Sequence, residues 1–390
     1  MNSKKYTLYR LLSAALLCSS LFLTSCGKNS DEPQEPESAA DRTVLLYMVG
    51  DNSLSYYCSV NMDSIMSGMK RSGPAIDFLV YEDSRSGKPT LWKMGKDAKG
   101  NAVKEKVQEF PEQNSVDQEV MADVINTVFA KYPSQEKGLI LWSHATGWLP
   151  SVNYTRGNLT RQTFSFGQDG SNYMEIWELR EVLENVPYLD FLIFDACHMA
   201  SVEVVYELKE QTRYVISSPT EVMGSGFPYQ TMVPILNKPK LDLKNVCQAY
   251  MDYYNGEGSY TEGAISLINT AALDELASEY AGVVSKSGDE MSALKSGSLQ
   301  QFGRYVGAGA DFRNIFFDLQ DVVDKVSPDR SSDLKRALEN SVLYKNNTTK
   351  FLGIPLERNC GLSVFVQELH ENPTYQIAYT QLKWYQETRF

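Results

Sequence analysis

Seven short runs in this chain are almost continuously apolar and rich in β-branched and aromatic residues: Val44–Val49, Ile76–Tyr81, Gly138–Trp142, Phe191–Phe194, Tyr214–Ile216, Ala264–Ile268 and Leu362–Val366. A strand with one wet face alternates apolar with polar. These runs do not alternate, so they call for cover on both faces, as in a parallel sheet between helical layers. Helical periodicity fills the intervals at Cys58–Ser72, Gln118–Tyr132, Met174–Asn185 and Ser201–Gln211. The expected class is therefore α/β, a three-layer arrangement with a mostly parallel central sheet and right-handed crossovers. Beyond about Leu241 the patterns turn helical, at Asn245–Tyr254, Ala271–Ser285, Ser296–Val306, Phe316–Val326 and Ser332–Leu343. Two apolar runs fall among them. Residues 241–390 are thus expected to complete the sheet begun by a core at 42–240.

The N-terminus reads differently. Lys4, Lys5 and Arg10 precede an apolar stretch from Leu11 to Leu23. It is short for a membrane span and has the shape of an export signal. Leu23-Thr24-Ser25-Cys26-Gly27 resembles the lipobox of bacterial lipoproteins, which implies a signal at 1–25, lipidation of Cys26 and an outer-membrane lipoprotein. Gly27 resembles that of lipoproteins sorted to the outer membrane, and Ser30-Asp31-Glu32 resembles the acidic signals that export such proteins to the cell surface. Residues 26–41 are rich in Asp, Glu, Pro and Ser, as expected of a flexible tether to the membrane.

Asp and Glu outnumber Lys and Arg by 49 to 37, a net charge of −12. Such a surface repels phosphate backbones, so no nucleic acid partner is expected. Cationic partners suit it better. After Cys18 and Cys26, the cysteines are Cys58, Cys197, Cys247 and Cys360, too scattered for a disulfide framework. One of them is a candidate working thiol.

In open α/β sheets, ligands bind beyond the carboxyl ends of the strands. Leu139-Ile140-Leu141-Trp142-Ser143 runs into His144, and Phe191-Leu192-Ile193-Phe194-Asp195-Ala196 runs into Cys197. If the strands are neighbours, about 4.8 Å apart, imidazole and thiol can meet. The thiolate is the nucleophile, and an adjacent imidazole both favours it and protonates a leaving amine. A helix starting after Ser201 would assist.

Trp142-Ser143-His144-Ala145-Thr146-Gly147-Trp148 and Phe194-Asp195-Ala196-Cys197-His198-Met199-Ala200-Ser201-Val202-Glu203 resemble the two signatures of the clostripain family, cysteine peptidases with the caspase-like fold. The opening Leu45-Leu46-Tyr47-Met48-Val49-Gly50-Asp51-Asn52-Ser53-Leu54 resembles that family's first strand and loop. The likeness spans residues 43–235 well and the remainder loosely. It implies catalytic Cys197 and His144, with the backbone N–H groups of Ala145 and Cys197 as oxyanion donors. It also implies polypeptide substrates cut after Arg or Lys, with Asp195 and Glu221 as substrate-binding acids, and self-cleavage after Arg156 or Arg161. A monomer is expected. No cofactor is required; calcium assists some relatives, and Asp51, Asp169 and Glu175 stand in loops without EF-hand spacing.

The family usually has Gly where this chain has Ala145. Ala resists positive φ, so a required left-handed backbone there would be strained. That departure supports a rival reading, a non-catalytic surface protein that binds peptides or glycans. His198 replaces an apolar residue and is expected to point away from Cys197. A metal hydrolase is disfavoured, with only 3 His in the chain and no HExxH pair.

Overall fold

The computed structural model describes residues 40–389 except 74, 152, 156–157, 161–164, 257–260, 304, 308–309 and 312–314. Among the described residues, nine strands form the main sheet. In chain order they are β1 (Ala40–Gly50), β2 (Ile76–Ser84), β3 (Gly87–Lys96), β4 (Ala102–Glu109), β5 (Ser134–Trp142), β6 (Phe191–Asp195), β7 (Tyr214–Ser217), β8 (Ala264–Asn269) and β9 (Val342–Asn347). Their spatial order is β9-β8-β7-β6-β5-β1-β2-β3-β4. The five central strands, from β7 across to β2, run parallel, and antiparallel pairs finish both edges.

The central strands are buried on both faces because two helical layers claim alternate residues. Leu45, Tyr47, Leu139, Leu141, Leu192 and Phe194 enter one core, packed by α2 (Gln118–Lys131), α3 (Ile176–Glu184), α4 (Val202–Glu207), α7 (Leu273–Val284), α8 (Leu319–Val326) and α9 (Ser331–Ser341). Val44, Leu46, Met48, Ile140, Phe191 and Ile193 enter the other, against α1 (Ser55–Met69), α5 (Tyr229–Leu236) and α6 (Leu243–Tyr254). Period-two alternation in an all-apolar strand thus feeds two cores at once. Among the described residues, no helix is long and apolar enough to cross a membrane.

Several expectations are corrected. The run Leu362–Val366 does not join the main sheet: Ser363–Val364 pairs with Phe317–Asp318. The sheet's last strand is instead β9, which starts in the last two residues of the Ser332–Leu343 segment read as helix and runs beyond it. Ser296–Val306 is not an α-helix; it holds a 3₁₀ turn at Ser296–Ser298 and a short strand at Tyr305–Gly307. The β3–β4 hairpin was invisible to an apolar-run criterion. β4 (AVKEKVQE) lies at the sheet edge with charged side chains outward, as edge strands do to deter further pairing.

Candidate active site

Strands β5 and β6 are adjacent and parallel, with Trp142 in register with Asp195. His144 and Cys197 each stand two residues past that pair, so both leave the sheet at the same level. The next strands outward, β1 and β7, are also parallel to them. Four neighbouring strand ends therefore set four pieces side by side: the 218–227 loop after β7, Cys197, His144, and the 51–54 loop after β1.

Cys197 is half-buried, whereas Cys58, Cys247 and Cys360 are buried; none of these four is in a disulfide. Burial pushes the Cys58 thiol up to about 12, and those of Cys247 and Cys360 far above the ordinary range. Such thiols are inert as nucleophiles. The N–H that reaches the Cys197 sulfur is that of Val222, at 3.3 Å, and the thiol faces the Val222 carbonyl at 3.8 Å. α4 begins at Val202, as expected, capped by Ser201, whose hydroxyl accepts the Val204 N–H at 3.3 Å.

His144 is half-buried, and burial lowers its pKa to about 4, so the ring is neutral at physiological pH. Its Nε2 lies 2.8 Å from Ser53 Oγ. Its carbonyl accepts the Gly167 N–H at 2.8 Å. Together with Thr146 N–H to Ser165 O at 3.0 Å, that bond frames an antiparallel bridge between Ala145 and Phe166. In such a pair the flanking residues bond across, so the N–H of Ala145 itself turns to the opposite side. Ala145 does not have positive φ; Gly147 does, at +68°. The strain feared at Ala145 is absent, because the left-handed turn falls two residues later, on a residue that tolerates it.

Asp195 ends β6 and is 4% exposed. Its Oδ2 accepts the Phe227 N–H at 3.0 Å and the Tyr229 hydroxyl at 2.8 Å. Burial raises its carboxyl to about 6. Gly226 passes so close that a Cβ there would lie 2.6 Å from Oδ2, and its φ is +67°, so both space and backbone demand glycine. Glu221 is half-buried, in the same loop and next to Val222. His198 has φ +59°; its ring stacks on Phe316, centroids 4.5 Å apart, with Nδ1 3.1 Å from Pro219 O.

The remaining sites divide as follows. Glu175 caps α3 in a capping box and accepts the Ser151 N–H at 2.8 Å. Asp51 pairs with Arg85 at 3.3 Å, and Asp169 accepts the Ser115 N–H at 2.6 Å. The three acids suggested for calcium thus serve separate structural bonds. Among the described residues, no group of three or more His, Cys, Asp or Glu could hold a metal ion. Cys26, Arg156 and Arg161 lie outside the described residues. Sequence reasoning missed Ser53, Val222 and Tyr229. Two of them left a trace, Ser53 inside the Asp51-Asn52-Ser53-Leu54 loop and Val222 in the 217–227 loop expected to wall the pocket beside Glu221.

Comparison with known proteins bears on the family and the fold. The model of the clostripain family matches residues 46–390. An inactive zymogen C11 protease from Parabacteroides distasonis is 31% identical with a TM-score of 0.78, covering 90% of this chain and 99% of its own. A secreted C11 cysteine protease from Bacteroides thetaiotaomicron, in complex with an irreversible peptide inhibitor, is 29% identical with a TM-score of 0.75, at 90% and 99% coverage. A clostripain from Bacteroides thetaiotaomicron in complex with the peptide inhibitor BTN-VLTK-AOMK is 26% identical with a TM-score of 0.51, at 57% and 97% coverage. No curated protein matches. The caspase-like sandwich expected from the sequence is the fold that these structures share with this chain.

Proposed function

The chain belongs to the clostripain family of cysteine peptidases, and from that membership we propose an endopeptidase that cuts after Arg or Lys through a Cys197–His144 dyad. The observation that carries the reading is the register of β5 with β6, which brings imidazole and thiol to one level at one sheet edge. His144 takes the thiol proton, and Sγ attacks the scissile carbonyl carbon. The resulting oxyanion accepts the N–H groups of Ala145 and Cys197. Its collapse expels the amine, protonated by His144. Water, deprotonated by the same ring, then cleaves the thioester and restores the thiol.

Asp195 is the acid that selects the basic side chain. It is buried, as an acid recognising a desolvated cation must be, and both of its bonds use Oδ2, which leaves Oδ1 for the incoming charge. Glu221 contributes at the pocket wall. The inhibitor held by one relative carries lysine at the end of its VLTK sequence, in keeping with this specificity. The Val222 contact and the suppressed basicity of His144 fit an uncut enzyme. Self-cleavage after Arg156 or Arg161 would release it. Export and lipid anchoring at Cys26 complete the reading; membrane fractionation of wild type beside Cys26→Ala checks that step, and equal retention of both in the membrane would remove it.

The test of the function is turnover of Arg- and Lys-ended fluorogenic peptides by wild type and Cys197→Ala, with intact masses of both. Turnover and a two-piece mass in wild type alone are expected. Equal intact masses would end the self-cleavage step, and turnover by Cys197→Ala would end the nucleophile assignment.

A further inference from the structure

The loop after β1 is built with more care than a surface turn needs. Asn52 is fully buried. Its Nδ2 donates to Val49 O at 3.1 Å and Gln168 O at 2.7 Å, and its Oδ1 accepts the Leu54 N–H at 2.8 Å. Its own N–H closes on Gly50 O at 2.7 Å. Every polar atom of that amide is spent on fixing the residues on either side. Gln168 in turn follows Gly167, whose N–H holds the His144 carbonyl. One buried asparagine therefore ties the β1 loop to the segment that holds the His144 carbonyl. What the loop presents at its tip is Ser53, exposed, with Oγ 2.8 Å from His144 Nε2.

A histidine can act as base through one ring nitrogen only when the other carries the proton, and the partner of that other nitrogen decides which tautomer is held. With Nε2 engaged by Ser53, Nδ1 is the nitrogen that would receive the thiol proton. We propose that Ser53 is a positioning residue of the peptidase: its hydroxyl accepts a hydrogen bond from His144 Nε2–H, fixes the Nδ1-basic tautomer, and steadies the imidazolium once Cys197 has given up its proton. Ser53 is exposed, so water can take its own proton while its oxygen accepts from the ring. The bond gains strength as the ring becomes charged, since a charged donor roughly doubles a hydrogen bond. Ser53 thus acts in the step where the thiolate forms. The inference rests on the Cys197–His144 reading.

Alkylation by iodoacetamide reads thiolate formation without any peptide substrate. Cys197→Ala serves as the blank, so that only the reaction of Cys197 is counted. In Ser53→Ala the alkylation rate at neutral pH should fall about fivefold, less than the roughly tenfold or more of a shielded bond to a charged group because water competes at this exposed site. The variant and wild type should converge above about pH 9, where the thiol ionises without help. In the nicked enzyme, kcat for an Arg-ended peptide should fall by about the same factor, with KM within about twofold. Ser53→Thr, which keeps the hydroxyl, should restore both rates. Alkylation by Ser53→Ala within about twofold of wild type would overturn the inference. So would a slowing that persists undiminished at high pH or that Ser53→Thr shares, since either marks a purely structural loop. Peptide turnover that persists in Cys197→Ala would instead bring down the dyad reading, and is recognisable because the blank would then hydrolyse without alkylating.

Discussion

Asp195→Asn should move activity and stability in opposite directions. The wild-type carboxylate is 4% exposed, and burial raises it from an ordinary 3.8 to about 6. The sign is that of a raised acid: the folded state holds the proton more tightly than the unfolded chain. The fold therefore loses stability as pH climbs from about 4 to 6 and carries the full deficit above that. A rise of this size corresponds to about 3 kcal/mol. Asparagine is nearly isosteric, and its amide oxygen can take the place of Oδ2 to accept the Phe227 N–H and the Tyr229 hydroxyl. The variant should thus be more stable than wild type near pH 8, by up to about 3 kcal/mol, and the two should converge near pH 4. For substrate the effect reverses. The buried cation loses its partner and meets an amide N–H₂, and leaving one charge of a desolvated pair unmatched costs about 2–5 kcal/mol. The value of kcat/KM for Arg- and Lys-ended peptides should drop on the order of 10²-fold or more, while a norleucine-ended peptide is nearly unaffected. Denaturant unfolding at two pH values and parallel kinetics on the three peptides suffice. A variant that keeps Arg turnover within about threefold would refute the assignment of the pocket acid, and one less stable than wild type near pH 8 would refute the electrostatic reasoning.

Three further outcomes follow from the same geometry. In wild type, KM for an Arg-ended peptide should rise as pH falls through about 6, because the Asp195 carboxyl then gains a proton; a flat KM across that range contradicts it. Gly226→Ala places a Cβ 2.6 Å from Asp195 Oδ2 on a backbone with φ +67°, so it should destabilise by about 1–3 kcal/mol and cut Arg-peptide turnover, read by thermal unfolding and kcat/KM. Glu203 is fully buried on α4, accepts the Phe365 N–H at 2.7 Å, and is raised from 4.5 to about 7 by burial. Glu203→Gln should therefore gain stability over wild type as pH rises from about 5 to 8, and a gap that does not widen contradicts that.

The central strands were legible because a strand fed to two cores has no polar positions to confuse it. Val44–Val49 and Phe191–Phe194 are of this kind, and the residues that follow them at the strand ends were legible with them. His144 and Cys197 needed only the order of the strands to stand at one level. The edges were not legible. β4 carries Lys104, Glu105, Lys106 and Glu109 because its outer side faces water, and β9 continues directly from α9 with no break in composition. Leu362–Val366 is as apolar as a sheet strand, yet it is buried in the helical layer beside α4, and burial alone does not say which layer a run joins. At the site, Asp195 stood out by its place beside Cys197. Its partners Phe227 and Tyr229 did not, because they arrive from 32 and 34 residues away through a loop whose path no local pattern encodes. The backbone at Ala145 was not legible either: the left-handed turn is at Gly147, two residues after it.

The central claim is that Cys197 is the nucleophile of a peptidase selective for basic residues. Its most direct test is the site of attachment of an irreversible Lys-ended peptide inhibitor, mapped by mass spectrometry on the purified chain. A single adduct is expected on Cys197, none on the buried Cys58, Cys247 or Cys360, and little labelling by a Glu-ended analogue. An adduct on another residue, or equal labelling by the Lys- and Glu-ended probes, would contradict it.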